Sequence, residues 1–94
     1  MKSIICNDRV CFKCGTTLNL HKHHVINGTA NRKISDEDGL WVYLCAYHHN
    51  GSNDSVHYNK EFALELKQIA EKRWIEFYGK DKESFIKRYG RNYL

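Results

Sequence analysis

The side chains of this sequence best suited to chemistry are four cysteines and six histidines, all of which precede residue 58. Cys11 and Cys14 form a Cys-x-x-Cys pair, and Cys45 and His48 form a Cys-x-x-His pair about thirty residues later. Thiolates and imidazoles at these spacings are typical of a closed, tetrahedral zinc site. The spacing predicts a structural Zn²⁺ bound by these four side chains. The alternative is that some of the cysteines are small buried apolar residues.

Three further histidines are expected to converge beside this site. His23 and His24 end a predicted strand, and His49 directly follows His48. Neutral imidazoles bind divalent ions, and a free imidazole is a suitable general base near neutral pH. The residues predict a second metal site, with a group of solvated surface histidines as the alternative. For His57 the sequence leaves both interpretations open.

Two other soft side chains are predicted to stay outside both sites. His21 has the polar neighbours Asn19 and Lys22, which indicate a solvent-exposed histidine. Cys6 lies five residues before Cys11, a spacing that suits no common zinc pair, and is expected to be a free thiol.

The front half must position these residues with short strands. Leu18–Ile26 reads as one strand, with Leu18, Leu20 and Ile26 on one side, and Leu40–Leu44 as a second that is rich in β-formers. The two strands are expected to pair as a hairpin. The polar stretch Asn27–Gly39 between them is predicted to be a loop.

The back half reads as two helices. Asn59 can cap a helix over Lys60–Tyr78 that ends at Gly79, and Asp81 can cap another over 82–89 that ends at Gly90. Apolar residues at three- and four-residue spacing predict the buried stripe of the first helix: Phe62, Leu66, Ile69, Ala70, Trp74 and Phe77. The second helix is expected to bury Phe85, Ile86 and Tyr89.

Length and composition limit the fold to one small α+β domain. The chain has 94 residues, so its core is small and a metal would supplement its stability. The metal module is expected over about 10–60 and the helical part over about 59–94. No apolar run is long enough for a membrane span, and residues 1–6 do not read as a signal peptide. A reducing cytoplasm is the expected compartment.

The order and spacing of the soft ligands resemble the HNH endonucleases in their zinc-stabilised form. The resemblance covers about residues 10–60 and rests on Cys11-x-x-Cys14, on Leu20-x-x-His23-His24-Val25 and on Leu44-Cys45-x-x-His48-His49. Three other segments resemble those of a small nuclease-like protein of phages and prophages: Gly28-Thr29-Ala30-Asn31-Arg32-Lys33, Gly39-Leu40-Trp41-Val42-Tyr43-Leu44-Cys45 and Gly90-Arg91-Asn92-Tyr93-Leu94. The resemblance to the HNH endonucleases implies a ββα-metal, treble-clef-like module followed by two helices.

The resemblance also implies a role for each residue. His23 and His49 would bind the catalytic divalent ion (Mg²⁺, Mn²⁺, Ni²⁺ or Zn²⁺), and His24 would be the general base. His57 would be a further ligand if residues 50–56 form a looped insertion. The implied reaction is hydrolysis of DNA phosphodiester bonds that leaves 3′-hydroxyl and 5′-phosphate ends.

Three positions depart from the family pattern. The second zinc pair is Cys-x-x-His instead of the commoner Cys-x-x-Cys, and Asn27-Gly28 stands where a proline often follows the paired histidines. The middle Asn, which orients the base, is missing as well. Asp36, Asp38 or a backbone carbonyl near Gly39 is expected to replace it as acceptor for Nδ1–H of the base.

Positive charge suggests where DNA would bind. The formal net charge is +4. Arg32 and Lys33 form a basic pair, and Lys87, Arg88 and Arg91 lie in a basic C-terminal stretch. These side chains are expected to contact phosphates, with an ordinary solvated basic surface as the alternative. No base-reading motif is present, so little sequence specificity is expected.

Two rival functions remain open at this stage. The first is a non-catalytic, zinc-finger-like DNA-binding module in which the histidine cluster is vestigial. The second is a nuclease that acts only with a recombination or phage DNA-processing protein as its partner. A second, exchangeable divalent site would favour an enzyme over the binding module.

Overall fold

A computed structural model describes residues 1–26 and 28–94 and, for Thr29, the backbone alone. Six elements follow one another along the chain: β1 (Leu20–His24), α1 (Thr29–Asp38), β2 (Trp41–Cys45), α2 (Ala46–His49), α3 (Lys60–Tyr78) and α4 (Lys82–Tyr89). The protein is therefore α+β, with a two-stranded sheet and helices, as the sequence predicted.

The two strands pair in antiparallel fashion and present the paired histidines to opposite faces. His23 lies opposite Val42, and His24 lies opposite Trp41. Directly paired residues share a face of the sheet, and successive residues alternate between faces. His23 is therefore on the face of the fully buried Val42, whereas His24 is on the other face.

The first strand is shorter than predicted. Leu18 was expected to share a buried side with Leu20, but 70 % of its surface is exposed. Asn19 has a φ of 53°, which is left-handed and incompatible with an extended strand, so β1 begins only at Leu20. The expected contribution of Leu18 is therefore wrong.

The predicted loop over Asn27–Gly39 is also wrong, because most of it forms α1; Asn27 itself lies outside the described residues. The buried side of α1 includes Ser35 and Asp38, which are polar, so the stretch contains too few apolar residues to be recognised as a helix. The helix ends at Gly39, whose φ is 78°. A Cβ at this glycine would lie 2.5 Å from a backbone oxygen of the N-terminal segment, so the position requires glycine.

The bounds of α3 and α4 agree with the sequence prediction. The side chain of Asn59 accepts a hydrogen bond from the backbone of Phe62, and that of Asp81 accepts one from the backbone of Ser84. The buried face of α3 repeats every four residues: Phe62, Leu66, Ala70 and Trp74. That spacing leads next to Tyr78, so Phe77 is 49 % exposed and its predicted burial is wrong. In α4 the predicted burial of Phe85 and Tyr89 is confirmed, whereas that of Ile86 is wrong because its side chain is exposed.

A buried carboxylate joins the helices. At the end of α1, Asp38 accepts hydrogen bonds from Nε1 of Trp74 (2.9 Å) and from the hydroxyl of Tyr89 (2.7 Å). Arg88 also donates to this carboxylate, from Nε to Oδ2 at 2.6 Å and from Nη2 to Oδ1 at 2.8 Å. Asp38 thus ties α3 and α4 to the segment that connects the two strands. Within the described part of the chain, no helix is long and apolar enough to cross a membrane.

Candidate metal centres

The Cys cluster consists of Cys11, Cys14, Cys45 and His48, the four residues predicted to bind one ion. Its first two members lie in a tight turn, in which the backbone N–H of Gly15 donates to the carbonyl of Cys11 at 2.8 Å. Gly15 has a φ of 80°, and Cys45 is the last residue of β2. The turn thereby brings two thiols to the end of the sheet.

The four ligand atoms of this cluster all lie within 4.8 Å of one another. Sγ of Cys14 and Sγ of Cys45 are 3.8 Å apart. Nδ1 of His48 lies 3.8 Å from Sγ of Cys11 and 3.3 Å from Sγ of Cys45. The arrangement could bind a metal ion, as the sequence predicted.

One thiol of the cluster is primed for ligation. Burial raises the pKa of Cys11, but backbone hydrogen bonds, the strongest from Cys45, outweigh burial and bring that pKa to about 6. Cys11 is therefore largely a thiolate at neutral pH, and the thiolate is the form that binds metals. A backbone hydrogen bond from Thr16 lowers the pKa of Cys14, but burial, hydrogen bonds with Cys11 and Cys45 and the negative charge of Cys11 together raise it above its ordinary value.

A second group, the His cluster, consists of His23, His49 and His57. Its members come from β1, from α2 and from the segment between α2 and α3, and each offers a nitrogen within 4.8 Å of the others. Nε2 of His49 lies 3.2 Å from Nε2 of His57. The structure thus places His57, which the sequence left open, with the two predicted ligands.

The environment of His23 and His49 favours their neutral form. Burial, together with the positive charge that His49 and His57 would carry, lowers the pKa of His23 to about 3. Burial and then His57 and His21 also lower the pKa of His49. A neutral imidazole keeps a nitrogen lone pair, so the cluster can bind a cation at neutral pH.

His24 contacts one of the three acceptors considered in place of the missing Asn. Its Nε2 lies 3.2 Å from Oδ1 of Asp36, which also pairs with the ammonium of Lys22. The contact involves Nε2 and not the expected Nδ1. Hydrogen bonds from Lys22 and His24 lower the pKa of Asp36 and keep it ionised, whereas Asp38 is bound to Arg88.

Both histidines of the predicted pair reach one open groove of about 490 Å³, within the range of ordinary ligand sites. Although they lie on opposite faces of the sheet, both line this groove at the end of β1. The described residues that line this groove are Lys22, His23, His24, Gly28, Arg32, His49 and His57. A reacting group in the groove can therefore meet the His cluster and His24 together.

The predicted DNA-binding residues separate into two groups. Arg32 and Lys33 line the groove or its continuation beside His24. Lys87, Arg88 and Arg91 are exposed but are not among the lining residues, and Arg88 pairs with Asp38. The structure therefore brings the basic pair of α1, and not the three C-terminal basic residues, to the groove.

One residue that the sequence argument set aside belongs beside the site. Nδ1 of His21 lies 3.0 Å from Nδ1 of His49, although the side chain is exposed as predicted. The available signal was its spacing of two residues from His23, which places both on one face of a strand. Cys6 is partly buried, and its Sγ lies 3.7 Å from Oγ of Ser3, so it stays outside both clusters.

Comparison of the chain with protein-family models, with curated proteins and with solved structures finds no match. The family resemblance therefore stays a prediction. What the chain can do has to follow from the geometry of its two clusters and the groove.

Proposed function

We propose that this protein is a metal-dependent DNA endonuclease or nickase that hydrolyses phosphodiester bonds, with His24 as the general base. The observation that carries the proposal is the shared groove. The His cluster, His24 and Arg32 face the same space, which provides a cation site, a base and a phosphate-binding side chain.

The Cys cluster is proposed to bind a structural Zn²⁺. In a tetrahedral site with Zn–S bonds of about 2.3 Å and Zn–N bonds of about 2.0 Å, the S···S and S···N edges are about 3.8 and 3.5 Å. The measured S···S distance of 3.8 Å and the S···N distances of 3.3 and 3.8 Å fit those edges. Four protein ligands leave no open position, which is typical of a structural site.

The His cluster is proposed to bind the second, catalytic divalent ion (Mg²⁺, Mn²⁺, Ni²⁺ or Zn²⁺). Three imidazole ligands fit a divalent transition metal and leave positions open for a substrate. A bound ion would stabilise the negative charge that develops on a phosphoryl oxygen. His23, His49 and His57 would hold it, and burial together with the neighbouring histidines lowers the pKa of His23 and of His49.

His24 is suited to take a proton from water. A carboxylate only accepts hydrogen bonds, so the contact with Asp36 requires the proton of neutral His24 on Nε2. The lone pair is then on Nδ1, which is the proposed base atom. Asp36 also stabilises the imidazolium that forms once the proton has been taken.

The basic pair is proposed to hold the DNA backbone. Arg32 lines the groove, and Lys33 lies in its continuation beside His24. Guanidinium and ammonium groups bind phosphates without reading the base sequence, so little sequence preference is expected. The products would be 3′-hydroxyl and 5′-phosphate ends.

The decisive experiment is a plasmid-nicking assay over a series of divalent metals with wild type and His24→Ala. We expect nicking by wild type and a loss of about 100-fold or more in the variant, the usual contribution of a general base. Zinc content should be equal in the two proteins because His24 is not in the Cys cluster. Lys80→Ala, an exposed basic residue beyond α3, is the control and should nick like wild type.

The outcomes separate the rival functions. DNA binding without cleavage by wild type under every metal would support the non-catalytic binding module instead. Activity that appears only when a recombination protein is added would support partner dependence. Full activity of His24→Ala would contradict the assignment of the base.

A further inference from the structure

The shortest nitrogen–nitrogen contact among the described histidines joins a side chain outside the His cluster to one inside it: Nδ1 of His21 lies 3.0 Å from Nδ1 of His49. We propose that His21 is a positioning residue that accepts a hydrogen bond from Nδ1–H of His49 and so keeps the lone pair of Nε2 directed at the metal. The inference rests on the His-cluster ion of the proposed function.

The hydrogen-bond chemistry of imidazole gives the direction of this contact. A neutral imidazole carries one proton, so one of its nitrogens donates and the other accepts. Two Nδ1 atoms at 3.0 Å form a hydrogen bond only if one of them bears the proton. Were that proton on His21, the proton of His49 would be on Nε2, which faces His57 at 3.2 Å. Nε2 could then not bind a metal.

The same geometry argues against His21 as a fourth ligand of the ion. The two nitrogens of one imidazole point away from the common centre of the ring in different directions. His49 directs Nε2 at His57 and Nδ1 at His21. Among the described residues, the group whose ligand atoms all lie within 4.8 Å of one another contains His57 but not His21.

The strand explains how one element supplies both a ligand and its support. His21 and His23 are two residues apart in β1 and therefore lie on the same face of the sheet. His49 extends over that face from α2, and its ring centroid is 5.1 Å from that of His21 and 5.3 Å from that of His23. Because His21 is exposed, water can satisfy its remaining N–H.

The test measures metal affinity and not cleavage. Zinc-loaded protein is titrated with Co²⁺ by calorimetry, with wild type, His21→Ala and His21→Gln. Loss of an outer partner of a metal-bound histidine typically weakens affinity 10- to 100-fold, so we expect a loss of about tenfold or more in His21→Ala. In His21→Gln the amide oxygen can still accept from Nδ1–H, so affinity should return to within about threefold of wild type.

A second readout needs no metal in the His cluster. Long-range ¹H–¹⁵N NMR of the zinc-loaded protein should show His49 protonated on Nδ1 in wild type and a mixture of both tautomers in His21→Ala. Equal Co²⁺ affinity of wild type and His21→Ala would overturn the proposal. So would an equal loss in the alanine and glutamine variants, which would indicate a direct ligand. A protein that shows the predicted affinities but never cleaves DNA would refute the proposed function alone.

Discussion

Oδ1 of Asp36, on α1, lies 3.2 Å from Nε2 of His24, on β1, and the same carboxylate pairs with Lys22. Asp36 therefore fixes both the orientation and the tautomer of the proposed base. We expect Asp36→Ala to lower the rate of plasmid nicking about 10- to 100-fold with little change in DNA affinity. Asp8→Ala, which removes an exposed carboxylate elsewhere, is the control. An unchanged rate in Asp36→Ala would show that His24 needs no support.

Loss of the structural metal should unfold the protein. The core is small, and the Cys cluster joins the N-terminal turn to the end of β2, so the proposed structural metal would contribute directly to folding. We expect Cys45→Ala to lose its metal and most of its helical circular dichroism. His48→Cys should retain one Zn²⁺, because zinc accepts Cys₄ and Cys₃His sites alike. Metal content and thermal unfolding measure both, and a folded, metal-free Cys45→Ala would contradict this role.

Truncation of Asp38 should destabilise the protein without touching either cluster. The change leaves the indole N–H of Trp74 and the hydroxyl of Tyr89 without their acceptor. We expect Asp38→Ala to lower the free energy of unfolding by about 3 kcal/mol, measured by urea titration. Asp38→Asn keeps an acceptor and should cost less. Equal stability of wild type and Asp38→Ala would show that the contact is dispensable.

Burial of neutral His23 predicts a loss of stability on the acid side. The folded protein holds the pKa of His23 at about 3, whereas the ordinary value is 6.5. The unfolded state therefore binds more protons between these values, and the free energy of unfolding falls as the pH decreases through this window. Between pH 8 and pH 5, His23 is expected to lower the free energy of unfolding by about 2 kcal/mol.

His23→Gln isolates this effect, because glutamine does not titrate. The pH dependence of its unfolding should be shallower than that of wild type by about the same 2 kcal/mol over this range. Both proteins carry the intact Cys cluster, so any acid release of that metal cancels in the comparison. Parallel curves for the two proteins would argue against a buried neutral His23.

The sequence predicted the elements whose patterns are local. Side-chain caps and glycine stops set the bounds of α3 and α4, and alternation with β-formers located both strands. Helix α1 was missed because its buried side includes the polar residues Ser35 and Asp38, and the burial of Asp38 depends on partners distant in the chain. The sequence argument placed Phe77 on the buried side of α3 in place of Tyr78. The two residues follow Trp74 by three and four positions, and both spacings fit a helix face until the neighbouring helix is known.

The candidate site was predictable where ligands come in pairs. Fixed spacing within each pair grouped the Cys cluster before any fold was known. The places of His57 and Asp36 instead depend on how the segment before α3 and α1 pack beside β1, which no spacing encodes. The polar neighbours of His21 predicted an exposed side chain, and the side chain is exposed. An exposed histidine can still contact another side chain, and His21 contacts His49.

His48 and His49 are consecutive residues of a single helical turn, yet they belong to different clusters. Under the proposed assignments, maturation of the protein has an order: the thiolate site must close before the neighbouring imidazole is held in place for the second ion. The dependence also runs in reverse. Oxidation of the thiolates would release α2 and disable the histidines indirectly, so the redox state of the Cys cluster would govern a reaction to which the thiolates contribute no group.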